Sequence, residues 1–162
     1  VEVLMIKFRP MNEAEYTAYL EPSIAEYAED KVKAGNYEPE TALERSRAEF
    51  NQLLPQGIKT PNHLLYVLLA DDQPEPIGMI WVHQSTERIR PIWFIFDFIV
   101  NEAYRRKGYG RQALEALKQH AGEAGIAEIG LHVFAHNRGA LSLYQQAGFE
   151  ITNINMSLKI QS

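Results

Sequence analysis

Ile92-Trp93-Phe94-Ile95-Phe96-Asp97-Phe98-Ile99-Val100, followed after a short link by Arg105-Arg106-Lys107-Gly108-Tyr109-Gly110-Arg111, is the stretch that decides the fold. The first part is an apolar, aromatic run of strand length. The second opens an amphipathic helix marked by Ala113, Leu114, Leu117 and Ala121. A strand, a basic glycine-bearing turn and a helix N-terminus gather unpaired backbone N–H groups, the positive end of a helix dipole and cationic side chains in one place. Such a place suits an anion, and phosphate above all. The plainer alternative is a helix start decorated with solvated charges.

Three phosphate-binding arrangements compete. A P-loop needs Ser or Thr after Gly-Lys, and Arg111 follows Gly110 here. A dinucleotide fold is closer, because Gly108-Tyr109-Gly110-Arg111-Gln112-Ala113 matches its glycine fingerprint. That fold, however, turns from strand directly into the glycines, whereas Asn101 to Lys107 intervene. The acidic residue some twenty positions on, Glu128, also falls at the start of the next strand and not at its end.

The sequence downstream favours the third arrangement. Ala127 to Phe134 reads as a strand whose alternation sends Leu131 and Val133 one way, His132 and Phe134 the other. Asn137 is a good N-cap for a helix over Arg138 to Ala147, closed by Gly148. Arg105-x-x-Gly108-x-Gly110, then Leu131-His132-Val133-Phe134-Ala135-His136-Asn137, then Ala140, Leu143-Tyr144 and Gly148-Phe149 together resemble the GNAT family of acetyl-CoA-dependent N-acetyltransferases. The resemblance runs from Ile6-Lys7-Phe8-Arg9-Pro10 to a C-terminal strand. Its specific part lies within residues 92 to 149, and it points to small bacterial members.

The resemblance implies one α/β domain over residues 1–162, with a mixed, mainly antiparallel central sheet flanked by helices and splayed strands at the cofactor site. It implies acetyl-CoA as acyl donor, no metal, and a small-molecule or peptide amine as acceptor. Phe98, Ile99 and Val100 would pair with the pantetheine arm, and Arg105, Arg106, Lys107, Gly108, Tyr109, Gly110 and Arg111 would surround the pyrophosphate. Asn137 would cap its helix, touch the coenzyme, or do both. Tyr144 stands where the family places the acid for the departing thiolate; a packed aromatic with a satisfied hydroxyl is the alternative. For the base, some relatives carry glutamate at the position matching His132. Others use positions that are Phe94 and Phe96 here, which leaves His132 the first candidate, with a structural histidine as the alternative. Asp97 and His83 stand behind it, and His136 reads as a loop residue beside the cofactor.

Composition sets the outer limits. The 162 residues, 46% hydrophobic, suffice for one sizeable core. The absence of cysteine excludes a thiol nucleophile, disulfides and thiolate metal sites. No run is apolar enough to cross a membrane and the N-terminal residues lack a signal-like apolar stretch, so the expectation is a cytoplasmic protein. A formal net charge of −5 argues against nucleic acid as partner and sets off the basic turn. Monomer and homodimer both remain open.

The rest of the chain reads as alternating elements. Ile6 to Arg9 is a short strand. Asn12 with Glu15 forms a capping box for a helix with Tyr16, Tyr19, Leu20, Ile24 and Tyr27 on one face; Pro22 should kink or divide it, and Gly35 ends it. Pro39 starts a second helix using Leu43, Phe50, Leu53 and Leu54. His63 to Ala70 and Ile77 to His83 form a hairpin around Asp71 to Pro76, and Ser85 to Arg90 is a polar loop. Between Met11 and Leu54 ten acidic residues face four basic ones. That excess makes either an acidic wall for a cationic acceptor or two ordinary solvated helices.

Two other functions compete with acetyl transfer. A noncatalytic acyl-CoA-binding module would keep the glycine turn without needing a base or an acid. A fragment of a nucleotide-binding oxidoreductase would require the dinucleotide fold.

Overall fold

The computed structural model describes residues 5–161. Five strands form one sheet in the order β1 (Ile6–Pro10), β2 (His63–Ala70), β3 (Gly78–Ser85), β4 (Ile92–Val100) and β5 (Ile129–Leu131). The first three pairings are antiparallel and the last is parallel. The helices are α1 (Glu13–Lys33), α2 (Ala42–Leu53), α3 (Tyr109–Glu123) and α4 (Arg138–Gln146). This is the mixed, mainly antiparallel architecture expected. It also removes the dinucleotide fold, which demands a mostly parallel sheet.

Strand alternation divides the apolar residues between two cores. Ile6, Leu68, Ile80, Val82, Trp93 and Ile95 face α3, where they meet Tyr109, Ala113, Leu114 and Leu117. Leu65, Val67, Met79 and Trp81 point the other way, onto Tyr19 and Ile24 of α1 and Phe50 of α2. A sheet buried on both faces explains why its central strands are apolar nearly throughout.

The capping box at Asn12 forms as expected: Asn12 Oδ1 accepts from the Glu15 N–H at 2.8 Å, and Glu15 Oε1 accepts from the Asn12 N–H at 3.0 Å. Arg9 reaches across from β1 to both Glu15 oxygens and fixes the start of α1 to the sheet. Pro22 neither kinks the helix into two elements nor ends it, for α1 continues to Lys33. Its ring lies at an exposed position, and the packing of Ile24 and Ala28 on the same helix offsets the backbone bond it removes. Ser46 of α2 donates to the Ile24 carbonyl at 2.7 Å and locks the two helices together. The second helix begins at Ala42, three residues beyond Pro39. The strand expected over Ala127 to Phe134 shrinks to Ile129–Leu131. The expected C-terminal strand is absent: residues 150–161 are exposed and form no strand with their own chain.

Candidate active site

The turn between β4 and α3 has an unusual backbone. Arg106 has φ 62° and Gly108, the N-cap of α3, has φ 84°. Two left-handed residues in so short a run curl the chain into a concavity of N–H groups. A left-handed arginine is disfavoured by about 1 kcal/mol, a strain typical of binding loops. Gly108 has no side chain with which to cap the helix, so the first-turn N–H groups of α3 have no side-chain acceptor. A Cβ on Gly108 would meet nothing within 4 Å, which leaves the approach to these groups open.

The candidates in this turn do different things. Arg106, Lys107 and Arg111 are exposed cations around the concavity. Arg105 is partly committed, since its Nε donates to the Val100 carbonyl at 2.9 Å and braces the turn against β4. The Tyr109 side chain points away into the core, and its hydroxyl bonds Asp72 and Gln73 in the β2–β3 turn. Of Tyr109, only the backbone is left to line the concavity. Gly110 is a packing residue, because a Cβ there would lie 3.3 Å from Leu143 Cδ2 on α4. One residue that sequence reasoning missed is Gln112, whose Oε1 is buried without a hydrogen-bond partner among the described residues. Nothing in the sequence pattern distinguishes it from a solvated helical glutamine.

Beyond this turn the sheet opens. β4 has nine residues, yet β5 pairs only with Trp93, Phe94 and Ile95. From Phe96 to Val100 the two strands part. Asn101 donates to Ile77 O on the β3 side at 2.8 Å, so in an extended chain Phe98 and Val100 turn their backbone groups toward the opening. The splay is framed by α4, whose Tyr144 ring packs against Phe98 and Phe149.

A bulge brings a carboxylate to the same place. The β3–β4 register runs Val82↔Ile95 and then Trp81↔Asp97, leaving Phe96 as the extra residue. Phe96 and Asp97 therefore both face the α1–α2 side, Phe96 stacking on Trp81 at 4.8 Å. Without the bulge, Asp97 would point into the α3 core. As it is, Asp97 Oδ2 accepts from the Tyr19 hydroxyl at 2.7 Å and Oδ1 from the Phe98 N–H at 3.0 Å. Asp97 keeps some exposed area, but the protein packed around it pushes its carboxyl up to about 6, against the opposing pull of those two hydrogen bonds. Burial, with a further contribution from the charge of Asp97, pushes the Tyr144 phenol up to about 12. No hydrogen bond occupies that hydroxyl among the described contacts.

The histidines divide. His132 is exposed and touches Phe134 edge-on at 4.9 Å, and no hydrogen bond orients it. His136 is held by Asp30 of α1 at 2.8 Å and tethers the loop after β5. The His83 and His63 rings, on β3 and β2, meet at 4.5 Å with a tilt of 42°, and His63 Nδ1 accepts from Trp81 Nε1. Burial first and then His83 hold the His63 pKa below its usual value. Asn137 Oδ1 caps α4 by accepting from the Ala140 N–H at 3.3 Å.

On the α1–α2 side, much of the acidic excess is spent on local pairs: Glu15 with Arg9, Glu21 with Arg47, and Glu49 with the Tyr27 and Tyr37 hydroxyls. Glu26 and Asp30 lie close enough to Asp97 for their charges to raise its pKa. The described residues contain no cluster of ligands suited to a metal ion, and no helix among them is long and apolar enough to cross a membrane.

The model of the acetyltransferase (GNAT) family matches residues 23–149. The uncharacterised N-acetyltransferase YycN of Bacillus subtilis is 43% identical over 97% of this chain and 100% of its own length. A second uncharacterised N-acetyltransferase from that organism, YdgE, is 34% identical over 90% of this chain and 92% of its own. The crystal structure of YycN superposes with a TM-score of 0.92 and covers 98% of this chain and all of that one. The chain that carries the basic glycine turn, the splayed parallel pair and the helical tyrosine beside the opening belongs to the GNAT family of acetyltransferases.

Proposed function

We propose that this acetyltransferase moves the acetyl group of acetyl-CoA to a primary amine that approaches from the α1–α2 side of the sheet. The observation that carries this reading is the opening between β4 and β5, with Asp97 on one side and Tyr144 on the other. A thioester carrying two amide groups and a pyrophosphate fits what lies along that opening. The first-turn N–H groups of α3 with Arg106, Lys107 and Arg111 suit the phosphates. With the Phe98 N–H held by Asp97 and the Val100 carbonyl by Arg105, the Phe98 carbonyl and the Val100 N–H are the outward backbone groups that suit the amides, and Asn137 lies on the adjoining loop.

The amine must reach the thioester carbonyl with its lone pair free. As the C–N bond forms, its nitrogen becomes acidic and the proton must leave; as the C–S bond breaks, the sulfur takes the electron pair as thiolate. Asp97 is better placed than His132 to receive the proton. A carboxyl near 6 is ionised at neutral pH yet more basic than an ordinary aspartate, and Tyr19 and the Phe98 N–H hold its orientation. Tyr144, with a phenol near 12, keeps its proton through the neutral range. A thiol of ordinary acidity, near 8.5, is too weak a base to strip that phenol. Tyr144 therefore serves the sulfur as a hydrogen-bond donor and parts with its proton only if the pair is coupled to solvent. Glu26 and Asp30 add negative potential beside Asp97, which favours an acceptor bearing a second positive charge.

The test is a panel of mono- and polyamines and lysine peptides with acetyl-CoA, read by release of CoA thiol. Turnover on any amine, greater for those with a second cation, is the expected result. Acetyl-CoA binding with no thiol release across the panel would return the site to a binding role.

A further inference from the structure

The α1–α2 face of the sheet carries rings that its core does not absorb. His63, His83, Phe94 and Gly130 stand in register across β2, β3, β4 and β5. Phe96, the extra residue of the bulge, completes the cluster: its ring stacks on Trp81 at 4.8 Å, meets Phe94 edge-on at 4.9 Å and comes within 5.9 Å of His63. Phe96 is 37% exposed, and it is the one Phe, Tyr or Trp among the described residues left so open. A single exposed apolar side chain needs no explanation. An exposed ring set among other rings, beside a candidate base, calls for one.

The bulge settles what a partner for these rings must look like. In a regular strand Phe96 and Asp97 would point to opposite faces. Here both face the α1–α2 side, with Cα atoms about 3.8 Å apart. A molecule whose nitrogen sits at the Asp97 carboxylate therefore meets the Phe96 ring after a linker of about two or three carbons. Gly130 leaves the β5 end of the row without a side chain, and a Cβ there would stand 3.6 Å from Phe94 Cδ2 and narrow the surface. His63 Nδ1 accepts the Trp81 N–H and so carries no proton, and none of the other side chains of the row is acidic.

We propose that these rings are the floor on which a primary amine carried by a flat aromatic ring lies, its ring against Phe96 and Phe94 and its nitrogen at Asp97. Such an amine is the acceptor of the proposed acetyl transfer, and its class rests on that reading. Its nitrogen takes the acetyl carbon as the C–S bond breaks, CoA leaves with the sulfur electron pair, and Asp97 receives the proton that the nitrogen sheds. The product is a neutral amide that has lost its attraction to Asp97.

Other acceptors fit this floor less well. A sugar amine would set hydroxyls against Phe94 and Phe96, which offer no hydrogen bonds, and would lose water without replacement. A saturated body of the same size would bury similar apolar area but forgo the edge-to-face and offset contacts that rings make with one another. The pull of Glu26 and Asp30 on a second cation comes from α1, and it acts alike on acceptors of equal charge. The preference for a ring is therefore separable from the preference for charge.

Release of CoA thiol from acetyl-CoA should be compared for 2-phenylethylamine and 2-cyclohexylethylamine, which share linker, charge and nearly the same bulk. The aromatic amine should show a kcat/KM about tenfold higher, mostly through KM. Phe96→Leu, which keeps an apolar side chain, should bring the two within about twofold. Tyr66→Leu, on the α3 face, should keep the parent's ratio. Calorimetric titration of 2-phenylethylamine into the CoA-saturated protein reads binding whether or not acetyl moves, and the affinity should fall about tenfold in Phe96→Leu. Equal turnover of both amines, or a preference that survives Phe96→Leu, would overturn the floor and leave acetyl transfer standing. Calorimetric binding that depends on Phe96, without thiol release from any amine, would sustain the floor and remove the transfer. Absence of both would remove both. If Phe96→Leu fails to fold, the ratio in the parent decides alone.

Discussion

The two faces of the sheet are built in different ways. On the α3 face the site is made of backbone: two left-handed residues, a helix without a side-chain cap and a strand turned away from its neighbour. On the α1–α2 face it is made of side chains brought from afar, with Tyr19 meeting Asp97 across 78 positions of sequence. A backbone site is encoded within about a dozen contiguous residues. A side-chain site depends on a bulge and on helix packing that no local pattern announces. On the proposed function, the donor end is accordingly the general part of this enzyme and the acceptor end the particular part.

The sharpest way to break that contrast is at Asp97. The Asp97→Asn substitution keeps the shape and the Tyr19 contact while removing the charge. Turnover should fall by about 10²- to 10⁴-fold, with little change in acetyl-CoA affinity. The parent should lose activity as pH falls through about 6, where Asp97 takes up its proton, and the variant should lack that limb. Stability moves the opposite way. The folded carboxyl is held above its usual value of 3.8. The parent therefore suffers no penalty below that pH and loses stability as pH rises from about 4 to about 6. Melting temperatures of the parent and the Asp97→Asn protein should agree near pH 4 and diverge in favour of the variant above pH 6. An unchanged rate profile would return the base to His132 or to water.

The donor end answers to different substitutions. Gly108→Val forces a β-branched residue into the left-handed region at the open mouth of α3, and acetyl-CoA affinity should drop about ten- to a hundredfold in calorimetric titration. Gly110→Val, two residues on, should act on the fold instead. Its side chain collides with Leu143, and overpacking of this kind costs about 1–3 kcal/mol. Two glycines of one motif would thus separate into a binding residue and a packing residue. Equal effects of both on affinity, at equal stability, would erase the distinction.

How much of this was legible follows the same division. The strand–turn–helix at residues 92–123, the capping box at Asn12 and the cap at Asn137 follow from local signals, because caps, glycines and alternation act over a few residues; the mainly antiparallel sheet was legible only through the family resemblance that those motifs carry. The shortening of β5 does not, since residues 132–134 have strand composition yet lie beyond the last β4–β5 pair, Ile95↔Leu131, next to the extra residue Phe96 in β4. Nor does the uninterrupted α1, where tertiary packing on Ile24 and Ala28 outweighs the proline. In the site, the lone acid in an aromatic strand was the available signal for Asp97. What set its rank was the extra residue at Phe96, and a bulge has no sequence mark of its own. Tyr19 was indistinguishable from the other tyrosines of its helical stripe.

Tyr144 lies between the two ends and tests whether they are joined. Tyr144→Phe removes only the hydroxyl, leaving the ring against Phe98 and Phe149. Turnover should fall about tenfold where acetyl transfer limits the rate, a hydrogen bond to developing charge being worth that much, while acetyl-CoA affinity should stay near that of the parent. Since the phenol stays protonated to about 12, its loss should lower the rate evenly between pH 6 and 9 and not carve a new limb. A thioester replaced by an oxygen ester, whose leaving group is poorer and more basic, should feel the substitution more strongly. If rate and stability collapse together, the hydroxyl is part of the packing.

The smallest effect is expected at His132. The side chain is exposed, unoriented by any hydrogen bond and engaged only with the edge of Phe134. A base must hold its lone pair toward the nitrogen it serves, and an imidazole without a partner on its second nitrogen lacks the constraint that fixes tautomer and direction. His132→Ala should therefore change turnover by less than about twofold, since it leaves the proton acceptor in place, and leave the acidic limb near pH 6 intact, that limb belonging to Asp97. A change confined to the KM of a large or aromatic amine would place His132 on the wall of the acceptor groove. Loss of the acidic limb with Asp97 untouched would instead show that the histidine turns inward when substrate binds. Then the acceptor face, like the donor face, would owe its chemistry to the motif on which it lies.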